Sequence, residues 1–441
     1  MVSAIYAGVL GYVYNDTGRL IHASLVSSAT VSAFVGALFA SMAAYRLSPW
    51  HPLARYPGPI PAKLTKWYMS VWIAKGNRHL KLQELHRTYG SWVRIGPNEL
   101  SVDDPAAIRP VYSQMFRAPF YQGAPQDADA LITTIDKNEH AQRLVGWTKA
   151  FSAESIKNYR SSAQARTTQL LEILAQKKDT VSLSQWISLW AIDVMGDMSF
   201  SGGFETMAAG KDTEGWMDVQ NDTEGGVPLS KLQAHADASF IVLAGSDTVS
   251  EAMTALVRYV TADAKIQEHL RSELAGAFDG PIEDMDYYTL SKLPYLDACV
   301  QEALRMVPPV AAGPPRWNKD TDTQILNHVI PAGTTVACPN YAMFHDPRNF
   351  VDPDSFRPER WLKEGLAGPH NTEAYVPFCY GPGVCIGKPV ALYNMKLLTA
   401  SVIRSFDLSF PKDFSLTKFD ASYKEHNLWV HDELLVSLKA L

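Results

Sequence analysis

The sequence predicts a mainly α-helical protein with small β elements, of the α+β class, preceded by an N-terminal transmembrane helix. Long proline-free stretches suit helices, short β-prone runs lie between glycines and prolines, and one N-terminal stretch is uncharged. The 441 residues are 46% hydrophobic and 20% charged, an ordinary globular composition. The formal net charge of -6 gives no reason to expect a nucleic-acid partner. Four cysteines are typical of a reducing compartment rather than a disulfide framework.

Residues 1–48 form the predicted membrane anchor region. The stretch 24–45 contains no formally charged residue, and as a helix it reaches about 33 Å, enough to cross a bilayer core. Basic residues dominate after it, which places the main body on the cytosolic side. Residues 1–14 are a second apolar stretch, too short to span comfortably. A buried core helix and a cleaved signal peptide are the alternatives, and the second is disfavoured because no basic region precedes the apolar stretch.

The stretch 49–62 contains five prolines. A run of this kind is not expected to be helical or to pair as a central strand, so we predict a semi-rigid linker. Residues 63–441 are predicted to form a single domain. Two β-prone runs around Gly96-Pro97-Asn98 predict a hairpin. Helices are predicted at 78–89, 139–151, 155–176, 184–198, 229–260, 264–278, 295–306 and 388–405.

One turn-forming segment delivers a cysteine to the start of a helix. It runs from Phe378 to Gly387 and reads Phe-Cys-Tyr-Gly-Pro-Gly-Val-Cys-Ile-Gly. Free backbone N–H groups and the helix dipole at this place lower the pKa of a thiol, and the glycines remove bulk where a flat cofactor must approach. A buried structural cysteine in a tight turn is the alternative. A zinc site is disfavoured, because Cys379 and Cys385 lack the usual ligand spacing.

The segment Glu302-Ala303-Leu304-Arg305 places an acid and a base on one face of a predicted helix. Such pairs are common on solvated helices, so the segment indicates little by itself. It gains weight from the sequence Phe356-Arg357-Pro358-Glu359-Arg360-Trp361 downstream.

The segment Ala244-Gly245-Ser246-Asp247-Thr248 lies inside the long helix predicted at 229–260. Small residues there would let the helix approach a flat ligand or widen locally. An acid beside a threonine in an apolar stretch is costly to bury without a purpose. The alternative is a helix kink with a solvated aspartate.

The order and spacing of these segments resemble the cytochrome P450 superfamily, in its fungal, membrane-anchored form. Phe378, Gly381, Cys385 and Gly387 match the haem-binding loop of that family. The resemblance implies the cytochrome P450 fold and haem b, with the Cys385 thiolate as the axial ligand of the iron. It also implies two further residue sets: a catalytic pair that supplies protons to dioxygen, Asp247 and Thr248, and a structural network of Glu302, Arg305 and Arg360.

Basic residues for the haem propionates depart from the family pattern. Gly383 stands where the family often has an arginine, which costs one charge-assisted hydrogen bond. Leu144 stands where another arginine is usual, four residues after His140, and Arg143 lies one residue early. The resemblance implies cofactor binding by Arg316, His140 and Arg143.

The activity that the resemblance implies is insertion of one oxygen atom from O2 into a lipophilic small molecule. Electrons would come from a separate NADPH-cytochrome P450 reductase, so that NADPH acts indirectly, with Lys388 and Lys396 meeting its acidic surface. A single-pass anchor would hold the protein in the endoplasmic reticulum membrane with the catalytic domain cytosolic. The fungal style suggests xenobiotic or secondary-metabolite oxidation.

The stretch 204–228 is too short and too polar for the two helices that roof the substrate pocket in the family. A lineage deletion, a splice form and a gene-model error all explain it. The rival function is therefore a membrane-tethered haem-binding pseudo-enzyme with impaired turnover. Rearrangement of peroxides without dioxygen is disfavoured, because that chemistry needs no proton relay such as Asp247-Thr248.

Overall fold

The computed structural model describes residues 1–123, 128–177, 180–200, 204–209, 230–278, 280 and 285–441, without the side chains of 153, 154, 156–158, 209 and 235. The predicted shortening between 204 and 228 lies, from residue 210 onward, outside the described residues.

Helices make up most of the described chain. The first set is α1 (Val2–Thr17), α2 (Leu20–Leu47), α3 (Ile60–Leu64), α4 (Trp67–Ala74), α5 (Arg78–Tyr89), α6 (Pro105–Gln114), α7 (Lys137–Ala150), α8 (Ala153–Ala175), α9 (Leu183–Phe200) and α10 (Thr206–Ala209). The second set is α11 (Lys231–Ala262), α12 (Ala264–Ala277), α13 (Tyr287–Ser291), α14 (Pro294–Met306), α15 (Asn340–Phe344), α16 (Lys388–Ser405) and α17 (Leu416–Ser422). The predicted mainly helical fold is confirmed, and the eight helices predicted in the domain are found with ends displaced by at most two residues.

The strands are short and form small sheets. They are β1 (Trp92–Gly96), β2 (Glu99–Val102), β3 (Phe116–Arg117), β4 (Thr180–Ser182), β5 (Arg316–Trp317), β6 (Thr323–Ile325), β7 (His328–Ile330), β8 (Thr335–Ala337), β9 (Phe406–Ser409), β10 (Lys424–Glu425), β11 (Trp429–Val430) and β12 (Leu435–Ala440). β1 and β2 pair antiparallel, which confirms the predicted hairpin. They belong to a sheet of order β1-β2-β8-β5-β3, whose last pair brings two distant segments together.

The N-terminal region forms two helices that pack against each other. α2 is long and apolar enough to cross a membrane, as expected of an anchor. α11 is also long and apolar enough to cross a membrane, but 56% of its most apolar stretch is buried, as in a core helix. α1 ends at Gly18, whose left-handed backbone (φ 62°) lets its N–H bond to the Tyr14 carbonyl.

The proline-rich stretch 49–62 is packed onto the sheet. Leu53 and Tyr56 are 1% and 2% exposed, and a Cβ on Gly58 would lie 2.2 Å from the Arg94 carbonyl oxygen. The expectation that this run forms no helix is wrong at its end, where α3 begins. Pro61 lies in the first turn of α3, where its missing N–H needs no partner.

The long helix α11 crosses the domain and packs against α9, α14 and α16. A capping box starts it: the Ser230 hydroxyl accepts from Gln233 N, and the Gln233 side chain accepts from Ser230 N. At Gly245, a Cβ would lie 2.5 Å from Cε of Met195 on α9. The small residue at this position therefore serves close helix packing, a reason that differs from the ligand approach expected from the sequence.

Candidate active site

The cysteine loop places Cys385 just ahead of α16. A hydrogen bond from Cys385 N to Phe378 O (2.9 Å) holds the loop. Cys385 is exposed, whereas Cys299 and Cys338 are buried. A structural cysteine in a turn would be packed like these two, so the exposure of Cys385 favours a cysteine available to a ligand.

The protein groups around Cys385 do not by themselves make it a thiolate. Although the residue has accessible surface, desolvation by the surrounding protein raises the pKa of its thiol and outweighs the backbone N–H groups of Gly387 and Lys388, which lower it. The expectation of a lowered pKa is therefore wrong for the protein without a metal. A coordinating metal ion deprotonates a thiol outright, so the metal would supply the missing stabilisation.

Neighbours of the loop explain two of its glycines. Gly381 has a φ of 69°, and a Cβ there would lie 2.4 Å from the Tyr112 carbonyl oxygen. At Gly383, a Cβ would lie 2.5 Å from Nη2 of Arg316. The Arg316 guanidinium thus lies beside the position where the family often has an arginine of its own.

The two remaining loop residues flank the cysteine in different ways. Phe378 packs against the main helical core, and the Lys388 ammonium lies 5.6 Å from its ring centroid. A Cβ on Gly387 would meet Sγ of Cys385 at 3.8 Å, an ordinary contact. Phe378 therefore anchors the loop, while Gly387 is not required by space in this structure.

Two buried arginines lie opposite each other where β3 pairs with β5. Arg117 and Arg316 are partners in the register and are 7% and 2% exposed. Their strongest partners are neutral: Arg117 donates to Leu131 O (2.8 Å) and Arg316 to the Tyr121 hydroxyl (3.0 Å). Among the described residues, neither has a carboxylate within ion-pair distance. Like charges that lie opposite each other on antiparallel strands are destabilising. A bound anion would therefore stabilise this pair of arginines.

His140 completes this group, which we call the basic cluster (Arg117, His140 and Arg316). Burial, followed by Arg117, Arg143 and Arg316, lowers the pKa of His140 to about 4. Burial and then Arg316 lower the pKa of Arg117 to about 10. Both pKa values are thus lowered first by burial and next by neighbouring positive charge.

Arg143 is adjacent, but its charge is already paired. Its Nη2 donates to both carboxylate oxygens of Asp237 at 2.9 Å, and both side chains are 2% exposed. Its Nη1 donates to Asp129 O (2.8 Å) and to Thr134 Oγ1 (2.9 Å). Cofactor binding by Arg143 stays a prediction, and its partner Asp237 was not foreseen from the sequence.

Glu302, Arg305 and Arg360 meet in a buried network, which we call the Glu302 network. Arg305 donates to both Glu302 oxygens, and Arg360 Nε to one of them, all at 2.9 Å. Trp361 Nε1 adds a bond of 2.8 Å. Burial alone would raise the pKa of Glu302, but the bonds and charges of Arg305 and Arg360 lower it. The carboxylate therefore stays ionised and fully bonded.

Asp247 and Thr248 lie on α11. Burial, and next the Glu251 carboxylate, raise the pKa of Asp247. Thr248 Oγ1 donates to Ala244 O at 2.6 Å. A half-buried carboxyl with a raised pKa takes up a proton more readily than an exposed one, and the threonine hydroxyl can rotate from the carbonyl toward a ligand.

The residues present fit the haem that the resemblance implies. Haem carries two propionate carboxylates and an iron that binds thiolate. The basic cluster lacks an anion, and Cys385 is an exposed thiol. The two features adjoin, because Arg316 Nη2 lies 3.4 Å from Sγ of Cys379 and beside Gly383 in the cysteine loop. One flat dianionic group would satisfy both.

Sequence reasoning missed Arg117 and misplaced Lys396. Arg117 belongs to no motif, and only its pairing with Arg316 across two strands reveals it. Lys396 was expected on the surface, but it is 7% exposed and pairs with Asp297 at 2.6 Å. Its place on the inner side of α16 explains this, whereas Lys388 at the start of that helix is exposed.

The chain is similar to one known protein family and to many curated proteins. A family model described as Cytochrome P450 matches residues 216–425. That range contains α11 with Asp247 and Thr248, the Glu302 network and the cysteine loop.

Curated relatives cover most of the chain. Cytochrome P450 monooxygenase FCK2 of Fusarium pseudograminearum is 28% identical over 470 residues, which is 91% of this chain and 84% of the relative. Tryprostatin B 6-hydroxylase of Aspergillus fumigatus is 28% identical over 476 residues, 92% and 84% of the two chains. Cytochrome P450 monooxygenase notG' of Aspergillus versicolor is 28% identical over 443 residues, 86% and 80%. The family model and these relatives show that the chain belongs to the cytochrome P450 family and is a haem-thiolate monooxygenase.

Proposed function

We propose that this monooxygenase hydroxylates a lipophilic small molecule of fungal secondary metabolism, with O2 as the oxygen source. Support comes from the relatives, of which one is named as a hydroxylase of tryprostatin B. The single observation that carries the catalytic assignment is that the exposed Cys385 and the buried basic cluster adjoin. The cluster has no carboxylate partner among the described residues.

Each site residue has a defined task in this proposal. Bound haem supplies the activation of dioxygen. Cys385 holds the iron as thiolate, and the basic cluster holds the propionates with charge-assisted hydrogen bonds. Asp247 takes up and releases protons because burial raises its pKa, and Thr248 offers a hydroxyl donor on the same helix. The Glu302 network touches none of the reacting groups and holds the polypeptide behind the loop.

Electron supply and location complete the proposal. A separate NADPH-cytochrome P450 reductase donates the electrons, and the exposed Lys388 beside the cysteine loop is available to an acidic partner surface. The apolar α2 anchors the chain in the endoplasmic reticulum membrane with the domain in the cytosol.

This chain is shorter than its Fusarium relative within the aligned region, and the difference bears on its rate of turnover. The alignment with the Fusarium relative extends over 470 residues, more than the 441 residues of this chain, so the relative contains residues in the aligned region that this chain lacks. We propose that part of this difference falls between 204 and 228. An enzyme with an incomplete pocket roof would bind haem and turn over slowly, which is the rival pseudo-enzyme function.

The first test is the absorption spectrum of the reduced, carbon-monoxide-bound protein in detergent. The wild type and Cys379→Ala are expected to give the red-shifted Soret band of thiolate ligation, and Cys385→Ala is expected to lose it. Cys379 is the matched control, since it is partly exposed and lies in the same loop. Retention of the band in Cys385→Ala would disprove the ligand assignment.

A second measurement separates the enzyme from the pseudo-enzyme. Added reductase and NADPH should give product from a panel of lipophilic small molecules that includes tryprostatin B, and the product should incorporate one atom of labelled O2. A thiolate band without NADPH consumption beyond that of the reductase alone would favour the pseudo-enzyme.

Membrane fractionation of cells that express the full chain should place it with endoplasmic reticulum markers.

A further inference from the structure

A single buried carboxylate, that of Asp237, joins three separate segments of the chain. Asp237, on α11, accepts from Arg143 Nη2 at 2.9 Å through each oxygen, and from Trp147 Nε1 at 3.1 Å, both on α7. It also accepts from the backbone N–H of Leu131. Since Asp237 is 2% exposed, all four bonds are shielded from water.

The segment 129–134 is held from the opposite side as well. Arg143 Nη1 donates to Asp129 O at 2.8 Å and to Thr134 Oγ1 at 2.9 Å. Arg117, a member of the basic cluster, donates to Leu131 O at 2.8 Å. The segment is thus attached at Leu131 through its N–H to α11 and through its carbonyl to the basic cluster.

Asp237 lies on the same helix, α11, as the proposed catalytic residues. Asp237 precedes Asp247 by ten residues, or about 15 Å along the same helix. Segment 129–134 is therefore attached both to the helix that carries Asp247 and Thr248 and, through the Leu131 carbonyl, to Arg117 of the basic cluster.

We infer that Asp237 is a positioning residue that, with Arg143, fixes segment 129–134 against α11 and so shapes the substrate side of the site. The inference rests on the proposed function for its catalytic meaning. It assigns Arg143 to segment 129–134 and α11, and leaves the propionates to the basic cluster. Removal of Asp237 leaves a buried guanidinium without its anion, so the variants must separate this loss of stability from loss of position.

Three variants make that separation. Asp237→Ala removes the carboxylate and all four bonds. Asp237→Ala combined with Arg143→Met also removes the unpaired charge, and it should recover most of the thermal stability that the single variant loses. Asp197→Ala is the matched control, because Asp197 is a half-buried carboxylate that pairs with Arg166 (2.7 Å) and lies on a different helix, α9.

Two readouts report position rather than stability. Hydrogen exchange, followed by mass spectrometry on peptides that contain 129–134, measures the Leu131 amide that Asp237 binds. Spectral titration with imidazole, which reaches only the iron, and with clotrimazole, which fills the space above it, measures the shape of the site.

The expected result is the same for the Asp237→Ala variant and the double variant. The haem content and the carbon-monoxide band stay at the wild-type level, exchange in 129–134 rises, and the clotrimazole Kd increases about tenfold while the imidazole Kd does not change. Asp197→Ala changes none of these values.

Two results would overturn the inference. If the double variant regains both wild-type exchange and the wild-type clotrimazole Kd, Asp237 acts only by neutralising Arg143. If Asp237→Ala or the double variant lowers haem content while exchange in 129–134 stays unchanged, Arg143 serves the cofactor. Absence of the thiolate band in the wild type would defeat the proposed function instead, and the exchange comparison would still decide the role of Asp237.

Discussion

The Glu302 network and the basic cluster are both buried groups of charge, but only the first is complete within the protein. In the Glu302 network, one carboxylate accepts from two guanidiniums, an indole and a backbone N–H, and every charge has a partner. In the basic cluster, two guanidiniums lie opposite each other, and their hydrogen-bond partners in the described part of the chain are all neutral. The difference separates a structural network from a binding site: the structural one is satisfied before any ligand arrives.

The largest effect is expected from breaking the complete network. Glu302→Gln leaves Arg305 and Arg360 as buried charges without an anion and should cost about 3 to 5 kcal/mol of the free energy of unfolding. Urea unfolding followed by circular dichroism measures it. Glu359→Gln is the control, since Glu359 is partly exposed and bonds only weakly to the Tyr295 hydroxyl (3.4 Å). A loss under about 1 kcal/mol for Glu302→Gln would contradict the comparison.

Removal of an arginine from the basic cluster should weaken haem binding without lowering the stability of the haem-free protein. Arg117→Met and Arg316→Met each remove a charge-assisted bond to the ligand, so haem should leave about 10 to 100 times faster. Stability of the haem-free protein should not fall, because a repelling charge is gone. Transfer of haem to apomyoglobin measures the rate, with Arg166→Met as a control outside the site. Unchanged haem loss in both variants would show that the cluster does not bind the propionates.

The pH dependence of His140 sharpens the comparison further. Its pKa in the folded protein is lowered to about 4, so its contribution to stability is fully present above the ordinary value of about 6.5 and is lost as pH falls toward 4. The free-energy difference between the wild type and His140→Phe should therefore shift against the wild type over this window, by up to about 1.4 kcal/mol per pH unit. Bound propionates should reduce that slope. Unfolding at pH 7.5, 6 and 5, with and without haem, is the measurement, and a difference independent of pH would contradict it.

The smallest effect is expected at Gly383. An added Cβ would lie 2.5 Å from Nη2 of Arg316, so Gly383→Ala should push the guanidinium away from its place without removing its charge. Haem loss should accelerate only about threefold, less than for removal of a full charged bond. Gly276→Ala, with open space around its Cβ position, is the control. Equal rates for Gly383→Ala and Arg316→Met would mean that the position of Arg316, more than its charge, decides haem retention.

The sequence predicted helices and local motifs well because both depend on neighbours along the chain. The bounds of α5 and α16 were predicted to the residue, since proline, glycine and periodicity mark helix ends locally. The residues Glu302, Arg305 and Arg360 were predicted to meet and do meet. Arg117 and Asp237 were not found, because each gains its meaning from a partner on a distant segment. Their partners, Arg316 and Arg143, were recognised only through the family resemblance.

The base of the anchor has a mechanical consequence. Arg94, 1% exposed, donates to Arg46 O in the last turn of α2 (3.1 Å), to Pro97 O in the β1–β2 turn (2.9 Å) and to the ring of His51 (3.1 Å). A body joined to α2 by a buried guanidinium cannot swing as it would on a loose tether. If α2 crosses a membrane, this joint would restrict the tilt of the body relative to the lipid surface.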